Sequence, residues 1–272
     1  MNIIEIIIRS FGESLKPKRF VPFFLLYLIF SAVVLIFFNS LLQILPSVIL
    51  SNSSEKENAT FMFNMFALLA TVIIFGLVSI WFNSALIFDV YKKKGFNSSL
   101  KYSKKVYLKV LFFHIIIILL LGVLTSMIGG LGFIMMLAID WILMFSMISL
   151  VIKEDSVQEA MIRSYSIVRK NLLNTLVFFI LTIFIVFVIM FICIILTTFS
   201  MFPIFKAISE AVPDFNNSGT LSSEQIAIVI YAVLPNFPSF VIASIIASLF
   251  LSFANVFILT SKTYYFLSFK KK

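Results

Sequence analysis

Asp140 is the residue whose position most demands a chemical explanation. It stands in Ala138-Ile139-Asp140-Trp141, near the middle of an apolar run. An ionised carboxylate there costs roughly 2.5–3.5 kcal/mol on insertion scales. One reading is a proton or cation site. The other is a protonated or hydrogen-bonded carboxyl inside a helix bundle, with Asn39, Gln43, Asn64, Asn83 and Asn255 as the available partners. No second acidic residue lies inside an apolar run, which favours the structural reading. His114 is the only histidine. It falls about one turn into its own run, roughly 10 Å from the expected depth of Asp140 at helical rise, so a packed or interfacial imidazole is expected rather than a direct pair. Asn39 and Gln43 share a helix face and either line a cavity or bond neighbouring helices. Cys193 is the single cysteine, so neither an internal disulfide nor a cysteine metal site follows. No nucleophile–base set, phosphate-binding glycine loop or metal-ligand cluster is present. The residues point to a protein that is not an enzyme and carries no cofactor.

The elements that position these residues follow from hydropathy. Hydrophobic residues make up 61% of the 272, against about 45–50% in soluble domains. Charged residues make up 12%, about half the usual share. Five stretches are nearly free of charge: 20–54, 58–88, 110–152, 171–205 and 225–261. Their continuous apolar character predicts helices rather than the alternating strands of a barrel. The third stretch is roughly 65 Å long as helix, enough for two crossings, and Gly129-Gly130-Leu131-Gly132 is the natural turn between them. Pro235 and Pro238 shorten the last crossing to 239–260 and set off a short helix over 226–234. Ser222 and Gln225 have the spacing of a capping box before it. The expected fold is all-α, a single domain over 1–272 with six transmembrane helices.

Charge gives the orientation. The net charge is +9. Apart from Lys56 and Lys206, every Lys and Arg falls in segments 1–19, 89–109, 153–170 or the tail from Lys262. The positive-inside bias therefore predicts a multi-pass protein of the cell membrane with both termini cytoplasmic. The same charges are read as contacts to anionic lipid, not to nucleic acid. Three interfacial helices are expected on that side: 1–19, 98–109 and 155–171. In the last, Ser156-Val157-Gln158-Glu159 is a capping box, and Val157, Ala160, Met161, Ser164, Tyr165 and Val168 recur at helical spacing. Arg163, Arg169, Lys170, Lys104 and Lys105 are the expected headgroup contacts. Segment 5–11 also aligns without gaps on 159–165, which suggests three repeats of an interfacial helix and two crossings. On the last crossing, Ser239, Ala243 and Ala247, with Ser244, Ser248 and Ser252, form a close-packing surface within the chain or between copies.

From the second crossing onward the chain resembles a known family. Ala85-Leu86-Ile87-Phe88-Asp89-Val90-Tyr91-Lys92-Lys93-Lys94-Gly95 resembles its entry into the first inner loop. Residues 151–171 resemble its hallmark, in which an acidic residue ends a crossing, an Ala-x-x-x-Ser helix follows (Ala160 and Ser164), and a basic pair (Arg169-Lys170) precedes the next crossing. Leu259-Thr260-Ser261-Lys262-Thr263-Tyr264-Tyr265-Phe266-Leu267 resembles its last-helix ending. This is the six-helix group that includes the membrane domain of bacterial glycerophosphodiester phosphodiesterases and multi-pass proteins of bacteria and archaea. The resemblance covers about half of the chain. Gly129-Gly130-Leu131-Gly132 stands where the family often has Pro-Gly, and Asn171 where it often has Gly. Family catalysis resides in a separate soluble barrel, which this chain lacks, so that activity does not carry over. The expected role is a non-enzymatic membrane scaffold or regulator whose basic helices contact anionic headgroups, possessing a second copy or another membrane protein as partner. The alternative is a small transporter or lipid-handling protein that uses Asp140, Asn39, Gln43 and Asn255.

Overall fold

The computed structural model describes residues 2–50, 53–128, 131–212 and 222–269. Among them there is no strand. Six segments are long and apolar enough to cross a membrane. They are α2 (Pro17–Ile49), α3 (Glu55–Lys92), the part Phe96–Val123 of α4 (Phe96–Ile128), and Ile134–Lys153, which takes in most of α5 (Leu131–Leu143) and all of α6 (Ser146–Lys153). The last two are α8 (Leu172–Ser200) and the long stretch Ser223–Ser268. The all-α, six-span expectation is met. Around these lie α1 (Ile3–Ser14), α7 (Val157–Lys170), α9 (Phe202–Ala211) and α10 (Ser223–Val233), the last joined by a 3-10 turn (Leu234–Asn236) to α11 (Phe237–Ser268).

Local chemistry explains the starts. Both expected capping boxes form: Ser156 accepts from the Glu159 amide while Glu159 accepts from the Ser156 amide, and Ser222 and Gln225 do the same. A third is present at Ser54 and Glu57, so α3 begins at Glu55 rather than near residue 60. Three expectations change. Residues 98–109 are not a separate helix; they are the first turns of α4, because no breaker separates Lys109 from Val110. The fifth crossing stops at Ser200, because Pro203 suits the first turn of a new helix, α9. The sixth helix runs on to Ser268, which places Lys262 on the helix and not in a tail. The expected turn residues Gly129 and Gly130 and the tail lysines 270–272 lie outside the described residues.

The chain forms two compact units. A terminal unit contains Met1–Phe23, Leu77–Val188 and Phe253–Lys272. An intervening unit contains Phe24–Gly76 and Ile189–Ser252. In the intervening unit, Leu42, Ile204, Ile230 and Val233 form a buried apolar cluster. Its polar links are few: Asn64 donates to Ser40 at 2.8 Å, and Ser31 and Ser248 are 3.0 Å apart. Ser248 thus packs within the chain, one of the two outcomes expected for that small-residue surface.

In the terminal unit, α1 and α7 bury equivalent positions. Ile6, Ser10 and Ser14 are buried on α1, and Ala160, Ser164 and Val168 on α7. These are the positions that the gap-free alignment of the two segments pairs. On α1 the apolar residues Ile4, Ile8 and Phe11 remain exposed, as does Leu15 just after it, the surface an interfacial helix needs toward hydrocarbon.

Candidate functional site

Three clusters in the terminal unit combine charge with enclosed space. The first is built on Arg19, at the start of α2. Its Nε donates to Asp89 Oδ2 at 2.7 Å and its Nη1 to Glu13 Oε2 at 2.6 Å. Both Arg19 and Asp89 are buried. The other Asp89 oxygen accepts the Gly95 amide at 2.8 Å. Lys93 and Gly95 have φ of 56° and 87°, left-handed values that glycine adopts without strain. Asp89 and Gly95, two residues of the first family-like motif, therefore share one job: closing the turn from α3 to α4. Burial pushes the Glu13 carboxyl up, but the Lys16 hydrogen bond and the charges of Arg19, Lys16 and Arg9 outweigh it and leave Glu13 below the ordinary carboxylate range.

The second cluster lies around α7. The span α5–α6 is interrupted at Met144 and Phe145, which frees backbone groups. Ser164 repairs them: its hydroxyl donates to the Ile142 carbonyl at 2.7 Å and accepts the Phe145 amide at 3.1 Å. Ala160, one turn earlier and fully buried, is part of the same packed face. The Ala-x-x-x-Ser pattern is thus a splice for a broken span. Asp155 accepts from Ser149 at 2.7 Å and from Arg163 at 2.7 and 3.2 Å. Burial raises the Asp155 carboxyl, yet the bonds from Arg163 and Ser149 overcome this and hold it below its usual range. Lys109 donates to the carbonyls of Glu154 and Asp155 at 2.8 and 3.4 Å, completing the end of α6. Beside this scaffold is a cavity of about 670 Å³. Lys153, Arg163, Lys170, Ser166 and Asn171 line it, with Phe266, Phe269 and Ile167 as apolar wall. No acidic residue is among these lining groups.

The third cluster contains Asp140. Its partner is neither asparagine nor glutamine but Lys262, whose Nζ is 3.3 and 3.5 Å from the two carboxylate oxygens. Nothing local in the sequence signals this pair, because Lys262 reads as part of the cytoplasmic tail, whereas α11 continues past it. Asn255 instead bonds Asn83 at 2.9 Å. Asn39 and Gln43 belong to the intervening unit, where Asn39 is half-buried and Gln43 exposed. The bonds of Asp140 and Asn255 thus run to Lys262 and Asn83 and not to each other. His114 lines the same cavity of about 340 Å³ as Asp140 and Lys262, closer company than the depth argument expected.

The expected headgroup residues divide. Arg163 and Lys170 line the cationic cavity. Lys104 lies over the Trp81 ring, 5.7 Å from its centroid, and Lys105 and Arg169 are exposed. Sequence reasoning gave no site role to Lys153, although it lies within the hallmark segment 151–171. Among the described residues, no group of three or more His, Cys, Asp or Glu is arranged to hold a metal. The fold and these clusters define an all-helical chain with six helices able to span a bilayer. Family models, curated proteins and solved structures all gave no match to it.

Proposed function

We propose that the protein is a non-enzymatic membrane scaffold or regulator that holds anionic lipid headgroups on its cytoplasmic side. The observation that carries this reading is the cavity lined by Lys153, Arg163 and Lys170 without an acidic residue. Lysine ammonium groups are strong point-charge partners for phosphate, and each basic residue near an anionic leaflet contributes about 1 kcal/mol of attraction. Phe266 and Phe269 supply an apolar wall for the first carbons of an acyl chain. Arg163 is already tied to Asp155, and the Lys153 charge also acts on that carboxylate, so a headgroup would meet the ammonium groups of Lys153 and Lys170 rather than an unengaged guanidinium. The exposed apolar face of α1 and the lysine-rich turn before α4 extend the same membrane-contacting character.

The positive-inside bias supports a cytoplasmic location for this layer, and the resemblance of residues 151–171 to the six-helix family supports a prokaryotic membrane. The test is lipid competition in nanodiscs containing the full chain. A fluorescent phosphatidylglycerol is displaced by unlabelled phosphatidylglycerol and by phosphatidylcholine of the same chain length. The expected result is a preference for the anionic lipid of about tenfold, lost in Lys153→Glu/Lys170→Glu. Equal displacement by the two lipids would refute the reading.

A further inference from the structure

The Asp140 cavity differs in kind from the cationic one. It carries one negative and one positive side chain, so its formal charge is balanced. The Asp140–Lys262 pair is also looser than the other ion pairs described in this unit. Its shortest N···O distance is 3.3 Å, against 2.7 Å for Arg19–Asp89 and for Arg163–Asp155. The Asp140 side chain is 56% exposed while Lys262 is 15% exposed. The carboxylate therefore opens to the cavity, and the ammonium reaches it along its four-carbon stem.

His114 adds a third polar group. Its Nδ1 is 2.8 Å from the Val110 carbonyl. A carbonyl only accepts, so Nδ1 carries the proton, and in the neutral ring Nε2 is left as an acceptor. The rest of the lining is apolar and rich in methionine: Met136, Met144 and Met147. Methionine's unbranched thioether adapts to irregular chains. A volume of about 340 Å³ is at the lower end of the range for small-molecule pockets.

We propose that this cavity binds a zwitterionic amphiphile, with its ammonium at Asp140 and His114 and its phosphate at Lys262. The reason is charge compensation. A lone cation entering the cavity would take Asp140 and leave Lys262 unpaired, and a lone anion would do the reverse. Lys262 is 15% exposed, so leaving its ammonium without a carboxylate is the costly outcome, and an anion at Lys262 would face Asp140 with nothing to offset it. A headgroup carrying both charges replaces each partner at once, and the apolar wall receives its chains. The inference concerns a different cavity and a different headgroup charge from the proposed function, and it stands or falls separately.

Trp141 follows Asp140 in sequence, and Trp81 is the only other tryptophan. In Trp81→Phe, indole fluorescence therefore comes from Trp141 alone, the residue next to Asp140 on α5. The full chain in maltoside micelles is titrated with short-chain phosphatidylethanolamine, its N-acetyl derivative (phosphate and chains kept, ammonium removed) and phosphatidylglycerol. The expected result is at least about tenfold tighter binding of phosphatidylethanolamine than of the other two. Asp140→Asn should abolish that preference, and Lys153→Glu/Lys170→Glu should leave it unchanged. Native mass spectrometry of the unsubstituted chain with the same three lipids provides a measurement that needs no variant to fold. Equal retention of the ethanolamine lipid and its N-acetyl derivative would overturn the proposal, as would an intact preference in Asp140→Asn.

Discussion

The terminal and intervening units both pack apolar side chains, and they differ in what is added to that packing. The terminal unit uses ion pairs between elements: Arg19 with Asp89, Arg163 with Asp155 and Lys262 with Asp140. It adds the Asn83–Asn255 bond and the Ser164 splice. The intervening unit relies on the cluster of Leu42, Ile204, Ile230 and Val233 and on ring contacts such as Phe30 on Phe75, with centroids 4.1 Å apart. Such a core is held by the burial and close packing of apolar side chains. Charged links are affordable only where water or a complete set of partners meets them. The contrast shows where this chain accepts the cost of charge, and the basic cavity lies in that unit.

Breaking the buried ion pair should have the largest effect. Arg19→Met leaves Asp89 buried without its cation and should cost about 3–5 kcal/mol, measured by reversible unfolding in mixed micelles. Arg19→Met/Asp89→Leu should recover much of the loss. In the intervening unit, Ile230→Ala removes packing at a buried position and should cost about 2–5 kcal/mol. Its effect should be independent of pH and salt, which separates the two units experimentally.

Smaller changes sharpen the contrast. Ser164→Ala leaves the Ile142 carbonyl and the Phe145 amide unpaired and should cost about 1–3 kcal/mol, with faster hydrogen exchange at Phe145. Asp155→Asn should cost at most about 1 kcal/mol, because Arg163 is 42% exposed and solvent screens the pair. The folded Asp155 carboxyl lies below its ordinary value, near 3.9 in the unfolded chain. Its contribution is therefore complete above that unfolded value and disappears as pH falls through the folded one. Stability should drop below about pH 4, and Asp155→Asn should remove that part of the drop.

Much of this fold is legible in the chain because the bilayer's thickness sets the helix length. Runs of about 20 apolar residues locate the six spans, and Ser156 with Glu159 announces α7 before any tertiary contact is known. The alignment of 5–11 on 159–165 pairs Ile6 with Ala160 and Ser10 with Ser164, positions that are buried on both helices. What escaped the sequence reading depends on reach or on a missing break. Lys109 and Val110 are both acceptable inside a helix, so nothing marks an end to the interfacial segment. Pro203 sits in an apolar run, where its role as a helix start is hidden. Lys262 finds Asp140 only because α11 continues and its stem spans the gap, a tertiary fact with no local signal. Ser164 reads as one more small residue on an amphipathic face until the break at Met144 and Phe145 gives it backbone groups to satisfy.

The proposed role requires the basic layer to face the cytoplasm, where anionic headgroups would meet it. Single cysteines in a Cys193→Ser background test it most directly, at Lys56 of the intervening unit and at Lys93 and Arg169 of the terminal unit. Intact cells are treated with a membrane-impermeant maleimide. The account predicts that Lys56→Cys is labelled at once, and that Lys93→Cys and Arg169→Cys are labelled only after permeabilisation. Labelling of Lys93→Cys or Arg169→Cys in intact cells would contradict it.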